Sequence, residues 1–240
     1  MSYDLGGITM NYLKFEPIKL EGESVEDGRK ILYVDVLPEK SCTYNCPICF
    51  RKKEHQGPNW DFGDVEDSLQ ALSEQIKKDQ PDLVYLFGQG DPITNDKIDR
   101  MIDEVHKHGL PVRIIVNGPM LDEKYHMREA NMCDEVVGCL AFIKEEDFQR
   151  MHRPYSEVSA EQKIRSLITF SNQYKGKFIL RVVIFKGFYD TDEQLAELKA
   201  ITDKIRYDEL SIGTRPTGRL GDRFAVSNER LDEIRAYLEA

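Results

Sequence analysis

Residues 41–50 read Ser-Cys-Thr-Tyr-Asn-Cys-Pro-Ile-Cys-Phe and directly follow an apolar, strand-like segment at residues 31–36. Cys42, Cys46 and Cys49 therefore have the spacing C-x3-C-x2-C. Three thiolates at this spacing can hold one face of an iron–sulfur cube and leave its fourth iron open, whereas a structural zinc site has four protein ligands. The run predicts an iron–sulfur centre with one iron that is free to bind a small molecule.

Two other interpretations of the three thiols stay open at this point: a zinc knuckle, and buried cysteines grouped by chance. Zinc pairs usually have the spacing C-x2-C and need a second pair, or histidines, downstream. The two remaining cysteines, Cys133 and Cys139, lie far along the chain and do not form such a pair. The spacing therefore favours the cluster without excluding zinc.

The cysteine run resembles the signature of the radical S-adenosylmethionine (SAM) superfamily. The resemblance implies a [4Fe–4S] cluster held by Cys42, Cys46 and Cys49, with SAM bound at the open iron through its amino and carboxylate groups. It also implies an enzyme that reductively cleaves SAM to methionine and a 5′-deoxyadenosyl radical, which abstracts a hydrogen atom from the substrate. A flavodoxin- or ferredoxin-type protein is the expected electron donor.

The composition narrows the class of protein. The chain has 240 residues, which suits one domain with a sizeable core. Its formal net charge of -10 argues against bulk nucleic-acid binding, and its five cysteines, an odd number, argue against a disulfide framework. No apolar run is long enough for a signal peptide or a membrane span, so we expect a cytoplasmic protein without a membrane partner.

Short apolar runs alternate with amphipathic stretches from Ile31 onward, which is typical of parallel βα units. The predicted strands cover residues 31–36, 83–87, 112–116, 135–142, 178–185 and 209–213. The predicted helices cover residues 64–78, 96–108, 122–130, 159–173, 191–206 and 228–239. This pattern alone does not separate a doubly wound sheet from an open barrel. The resemblance implies an α/β fold of the partial (β/α)6 parallel barrel type, with the chemistry at the carboxyl ends of the strands.

We expect three parts in the chain: an N-terminal extension at residues 1–29, a radical SAM core domain at residues 30–220, and a C-terminal helix at residues 221–240 packed on the core.

The second predicted strand is followed by Gly88-Gln89-Gly90-Asp91-Pro92. Two glycines at a strand end allow a sharp turn and a close approach to a ligand, although a simple βα turn is the better explanation of the glycines taken alone. The run resembles the "GGEP" loop of the superfamily, whose backbone holds the amino group of SAM. The resemblance places Gly88, Gln89, Gly90 and Asp91 among the cofactor-binding residues, with Asp91 in place of the usual glutamate.

Two further strand ends match the superfamily more loosely. Val116-Asn117-Gly118 resembles its "TNG" turn, which implies that Asn117 faces SAM or the second loop; a structural Asx turn is the alternative. On the fourth strand, Cys139 and Ala141 stand where many relatives carry polar side chains that meet SAM. Recognition of the ribose through this strand is therefore weakened, and Cys139 is interpreted as a small buried thiol.

Arg181 lies among apolar residues of the fifth predicted strand. A buried guanidinium needs an anionic or carbonyl partner, so Arg181 is a candidate for the SAM carboxylate; an outward-facing edge arginine is the alternative. Thr214, at the end of the sixth strand, is also counted among the cofactor-binding residues. Arg215, Arg219 and Arg223 follow it, and because arginine forks suit carboxylates and phosphates this cluster indicates an anionic substrate. The alternative for these three arginines is a solvated charged loop.

Residues 148–154 resemble the R-x-x-R-P segment of small radical SAM proteins that include relatives of wyosine-type tRNA-modifying enzymes. The sequence thus predicts a small, single-cluster radical SAM enzyme with an unidentified substrate. The alternatives are an activase of a glycyl-radical enzyme, a non-catalytic iron–sulfur sensor and a zinc-binding module. The histidines His55, His106, His108 and His126 show no ligand spacing and are assigned no role.

Overall fold

A computed structural model describes residues 11–15, 28–49, 57–59, 61–214 and 221–240. Its centre is a sheet of six parallel strands that stand side by side in chain order. The strands are β1 (Ile31–Asp35), β2 (Leu83–Phe87), β3 (Val112–Val116), β4 (Glu135–Leu140), β5 (Lys177–Val183) and β6 (Glu209–Gly213). Strands β2, β3 and β6 have the predicted bounds, and the other three differ only at their ends.

The helices pack outside the sheet. They are α1 (Glu66–Asp79), α2 (Ile98–Lys107), α3 (Lys124–Met132), α4 (Glu145–His152), α5 (Ala160–Gln173), α6 (Asp192–Thr202), α7 (Gly221–Phe224) and α8 (Asn228–Glu239). The hydroxyls of Ser159, Thr191 and Ser227 cap α5, α6 and α8 by accepting a backbone hydrogen bond, which fixes where these helices begin. In the described ranges, every helix is too short or too polar to cross a membrane.

The strand order decides which α/β fold this is. In a doubly wound sheet the strand order reverses, so that the first strand lies inside the sheet. Here β1 and β6 are the two edges, and each strand pairs with its neighbours in the chain. Within the described residues β1 and β6 share no ladder, so the barrel stays open. The predicted partial (β/α)6 parallel barrel is confirmed.

Alternate residues of each strand point to opposite faces of the sheet. Val34 and Leu86 belong to the large core that the strands form with the outer helices. The opposite face points into the barrel, where Tyr85, Val137 and Ile179 form a separate small apolar layer. This layer lies near the middle of the strands. Buried polar groups occupy the amino-terminal end of the barrel on one side of it, and a cleft opens at the carboxyl end on the other.

A buried ion pair fills the amino-terminal end of the barrel. Arg113 is 1% exposed, and its Nε donates a hydrogen bond to Oε2 of Glu135 at 2.6 Å. Arg29 donates to the other oxygen of the same carboxylate at 2.7 Å. Burial raises the pKa of Glu135, but the hydrogen bonds and charges of Arg29 and Arg113 outweigh burial and hold this pKa below its usual value. Glu135 is therefore held ionised between two arginines.

The sequence analysis did not predict helix α4 or the four-residue helix α7. The first turn of α4 carries Glu145, Glu146 and Asp147, which favour a helix N-terminus, and the helix buries Phe148 and Met151. Helix α4 has only eight residues, so its apolar spacing is too short to stand out as a period. Helix α6 also ends earlier than predicted, at Thr202 rather than at residue 206.

Segments near both ends of the chain pack on the barrel. Leu13 is buried in the core, and Lys14 forms an antiparallel bridge with Asp35 beside the edge strand β1. Helix α8 contacts α6 and β6 and buries Leu231 and Ile234. The division at residues 1–29, 30–220 and 221–240 stays a proposal, because residues 1–10, 16–27 and 215–220 lie outside the described ranges.

We expect Glu135→Ala to destabilise the protein by about 3–5 kcal/mol, because it leaves the charge of Arg113 buried without its carboxylate. The free energy of unfolding in urea measures this loss. The matched control is Glu209→Ala, which breaks the more exposed Lys177–Glu209 pair (2.7 Å) at the starts of β5 and β6 and should cost about 1 kcal/mol or less. Equal losses in the two variants would contradict the assignment of Arg113–Glu135 as a buried pair.

Candidate active site

A cleft opens at the carboxyl ends of the strands. Its empty space, about 990 Å³, includes space that is open to solvent. Its walls come mainly from the loops after β1, β2 and β3 and from the ends of β4 and β5. The lining includes Cys42, Cys46, Cys49, Gly88, Gly90, Asn117, Cys139, Phe142, His152, Lys163 and Phe185.

All three cysteines of the predicted cluster line this cleft. Cys42 is buried, and its sulfur accepts hydrogen bonds from the backbone N–H of Tyr44 at 3.4 Å and from Nδ2 of Asn117 at 3.1 Å. Cys46 and Cys49 are partly exposed, and the N–H of Cys49 donates to the carbonyl of Cys46 at 3.0 Å. The loop from Ser41 to Cys49, here called the cluster loop, thus presents three thiols to one space.

The donor set fits an iron–sulfur cube. In a cube each cysteine binds its own iron, whereas the ligands of a single zinc ion must all lie within about 2.0–2.3 Å of one point. Across the described ranges, no group of three or more His, Cys, Asp or Glu side chains is arranged to hold a single ion. Thiolates are the ligands that iron–sulfur centres prefer, so the donor type of Cys42, Cys46 and Cys49 fits a cube, and their role as its ligands stays a prediction.

Gly90 lies against the backbone of the cluster loop. A Cβ atom at this position would come within 1.7 Å of the carbonyl oxygen of Ser41, so no side chain fits. The N–H of Asp91 donates to that same oxygen at 2.8 Å, and the Ser41 hydroxyl contacts that of Thr94 at 2.6 Å. The sequence predicted a close approach of this glycine to a ligand. The structure shows a close approach to the cluster loop, while Gly88 and Gly90 both line the cleft.

The other two predicted residues of the second loop do not line the cleft. Gln89 donates from Nε2 to Asp35 at 3.2 Å. Asp91 is 1% exposed and accepts the backbone N–H of Asn117 at 3.2 Å through Oδ2. Burial raises the pKa of Asp91 to about 6. Asp91 therefore links the second loop to the third, and contact of Gln89 or Asp91 with SAM stays a prediction.

Arg181 and Thr214 also lie outside the cleft lining. Arg181 is 3% exposed and lies in register with Cys139 and Ser211, which places it on the inner face of the barrel and excludes the outward-facing alternative. The hydroxyl of Thr214 accepts the N–H of Val226 at 3.4 Å. Arg215 and Arg219 lie outside the described residues.

Lys163 is a cleft residue that the sequence analysis missed. It lies on α5, is 2% exposed and lines the cleft beside the cysteines. Burial lowers the pKa of Lys163 to about 8, against the effect of the Cys139 and Cys46 thiols, which raise it. The sequence did contain a signal for Lys163, because it lies on the same helix face as the buried Leu167 and Phe170. A lysine in an apolar stripe is unusual and marks a candidate functional residue.

Two more cleft residues differ from expectation. His152, at the end of α4, places Nδ1 3.3 Å from the sulfur of Cys46. No spacing rule marks a histidine 106 residues after a cysteine, so only the fold brings them together. Cys139 is partly exposed and lines the cleft, so its interpretation as a buried thiol is wrong.

Gly90→Ala should displace the cluster loop, because the new methyl group collides with main-chain atoms that cannot rotate away. We expect a loss of about 1–3 kcal/mol in unfolding free energy and reduced uptake of iron and sulfide, measured after anaerobic reconstitution. The matched control is Gly88→Ala, whose Cβ would come nearest to the side chain of Leu37, at 2.6 Å, and not to main-chain atoms as at Gly90. Similar iron uptake in the two variants would contradict the role assigned to Gly90.

Asp91→Asn should change how stability depends on pH. The raised pKa of Asp91 means that the unfolded chain ionises first as pH rises, so the wild type loses stability between about pH 4 and pH 6. The asparagine variant lacks this loss, so its stability relative to wild type should rise by up to about 3 kcal/mol across that window. Urea unfolding at several pH values measures the difference, and parallel curves would show that Asp91 titrates normally.

Comparison with known proteins places the chain among enzymes. The Radical SAM superfamily matches residues 37–200. The GTPase Obg of Brachyspira hyodysenteriae is 25% identical over 214 residues, which cover 87% of this chain and 32% of that protein. UPF0026 protein MJ1312 of Methanocaldococcus jannaschii is 19% identical over 194 residues, which cover 77% of this chain and 59% of that protein. The chain thus spans from about a third to three fifths of these curated relatives.

A solved structure of TYW1 with a lysine-pyruvate adduct bound has the same fold. The two share 13% identity with a TM-score of 0.67, over 88% of this chain and 73% of that one. At this identity the likeness concerns the fold alone, and the open barrel described above agrees with it. Because the family match covers well over half of its length, this chain belongs to the Radical SAM superfamily, whose members use a [4Fe–4S] cluster and SAM for radical chemistry.

Proposed function

We propose that this protein holds a [4Fe–4S] cluster through Cys42, Cys46 and Cys49 and uses it to cleave SAM reductively. The observation that carries this proposal is the meeting of all three cysteines with the loops after β2 and β3 in one cleft at the carboxyl end of the barrel. In parallel α/β folds this end carries the chemistry. Family membership supports SAM-dependent radical chemistry, and the cleft supports these three ligands.

A [4Fe–4S] cluster held by Cys42, Cys46 and Cys49 would supply the electron for the reductive cleavage of SAM, and SAM would supply the radical that abstracts hydrogen from the substrate. The residues of the chain bind and orient the cluster and SAM, and they shield both from solvent. Asn117 donates to the sulfur of Cys42 and fixes its direction. The backbone at Gly88 and Gly90 lines the cleft wall, where we place the amino group of SAM.

We propose that Lys163 forms an ion pair with a carboxylate bound in the cleft. A buried ammonium is unfavourable unless an anion accompanies it, and burial already lowers the pKa of Lys163 to about 8. The methionine carboxylate of SAM is an anion that fits this place. Lys163 thus takes the part that the sequence analysis gave to Arg181, which lies in the barrel but not in the cleft lining.

The far wall of the cleft excludes water. Phe142 and Phe185 stack at 5.1 Å with an interplanar angle of 11°, and both line the cleft. Phe142 has a φ of +53°, a conformation that side chains rarely adopt and that tends to be kept where function needs it. This wall shields a reactive radical from solvent.

The substrate is unidentified, and we propose that it is anionic. Lys40 lines the cleft together with Lys163. This second positive charge in the cleft supports an anionic substrate, in addition to the argument from Arg215 and Arg219. The electron donor is proposed to be a flavodoxin- or ferredoxin-type protein. An activase of a glycyl-radical enzyme gains no support from the cleft, and we do not prefer it.

The test is the formation of 5′-deoxyadenosine. Anaerobic protein is reconstituted with iron and sulfide, reduced with dithionite and given SAM, and the product is quantified. Cys42→Ala should abolish the product because it removes a cluster ligand. Cys133→Ala is the matched control: Cys133 is buried but does not line the cleft, so this variant should keep the wild-type yield.

Each other outcome points to one alternative. A loaded cluster whose EPR signal shifts with SAM, but which gives no product, would favour the non-catalytic sensor. Colourless protein with one equivalent of zinc and no cluster would favour the zinc-binding module. Equal yields from Cys42→Ala and wild type would overturn the ligand assignment.

A further inference from the structure

The end of α4 is bound to the cluster loop by main-chain contacts. The N–H of Asn45 donates to the carbonyls of His152 and Arg153, both at 3.0 Å, and the N–H of Tyr155 donates to the carbonyl of Thr43 at 3.0 Å. The segment that resembles the R-x-x-R-P run therefore lies directly against the cysteines. This contact holds His152 at the cluster loop whatever the neighbouring side chains do.

Aromatic contacts fix the orientation of the His152 ring. The ring stacks on Tyr44 at 4.5 Å with an interplanar angle of 19°. Its edges meet Phe142 at 5.2 Å and Phe148 at 5.0 Å, and the residue is only 9% exposed. With the ring held in this way, Nδ1 lies 3.3 Å from the sulfur of Cys46.

The contact made by the second ring nitrogen, Nε2, indicates which of the two nitrogens of His152 carries the proton. Nε2 of His152 lies 3.5 Å from Nζ of Lys163. The ammonium form of Lys163 has donors only, so with Lys163 protonated we assign Nε2 as the acceptor in this contact. The proton of the neutral ring then resides on Nδ1, where it points to Cys46. A chain of donors thus runs from Lys163 through His152 to the sulfur.

We propose that His152 is a positioning residue that donates a hydrogen bond from Nδ1 to the sulfur of Cys46 and thereby raises the reduction potential of the bound cluster. This inference rests on the proposed function. Reduction adds negative charge to a cluster and its sulfurs, and a hydrogen-bond donor stabilises the more negative state. The donor makes the cluster easier to reduce, which is the step that SAM cleavage requires.

Two variants separate the ring from the donor. His152→Phe keeps an aromatic ring against Tyr44 but cannot donate, whereas His152→Asn places an amide N–H where Nδ1 stands and loses the ring. An EPR-monitored redox titration measures the potential of each loaded protein. We expect His152→Phe to lower the reduced-to-oxidised ratio about tenfold at fixed potential, which is about 59 mV for one electron, and His152→Asn to stay closer to wild type.

A second measurement uses wild-type protein and does not depend on how the variants fold. Protein labelled with [15N]histidine is reduced, and pulsed EPR is used to detect coupling of the cluster to 15N and to an exchangeable proton. The matched control is His106→Gln, because Nε2 of His106 contacts Asp134, just before β4 and therefore at the end of the barrel opposite the cleft. The coupling should persist in this control and disappear in His152→Asn with the same label.

The outcomes distinguish this inference from the function on which it rests. Wild-type protein that takes up no iron and sulfide would overturn both. A loaded wild-type cluster without histidine coupling, or with the same potential as a loaded His152→Phe, would overturn the role of His152 alone. Coupling that vanishes in His106→Gln would show that it comes from a histidine other than His152 and would also overturn the inference.

Discussion

The cluster loop and the second loop touch through their backbones, and the position of every other group in the cleft depends on that contact. The carbonyl of Ser41 lies where a side chain on residue 90 would have to be, and it accepts the N–H of Asp91. The carboxylate of Asp91 then accepts the N–H of Asn117, whose amide returns to the sulfur of Cys42. Loops from three neighbouring strands therefore form one circuit of hydrogen bonds around the first cysteine.

The fold and the three cysteines could be predicted because both leave local signals. Strands such as Leu83–Phe87 are short apolar runs between turns, and the cysteine spacing is contained in eight residues. The sequence predicted that Gly90 approaches another group closely, but it named a ligand as that group. The observed partner, the backbone of Ser41, could not be predicted because it lies on another loop. Lys163 and His152 were missed because their meaning arises only when α4 and α5 fold over the cleft.

The direction of a side chain was the other limit. Gln89 and Asp91 follow a strand and belong to the matching loop, yet their side chains turn to Asp35 and to the backbone of Asn117. Arg181 was expected inside or outside the barrel with nearly equal weight, because a strand side chain changes face with a shift of one residue. Two buried ionisable groups, Lys163 in the cleft lining and Asp91 behind it, are also ones that a purely structural core would avoid.

The contact between residues 43–45 and residues 152–155 runs through main-chain atoms. Such bonds do not depend on which side chains are present. The side chains that face a substrate can therefore diverge over evolutionary time while the cysteines keep their places. A cleft built in this way can acquire new substrates without rebuilding its metal site, which gives a physical reason for one barrel to support many reactions.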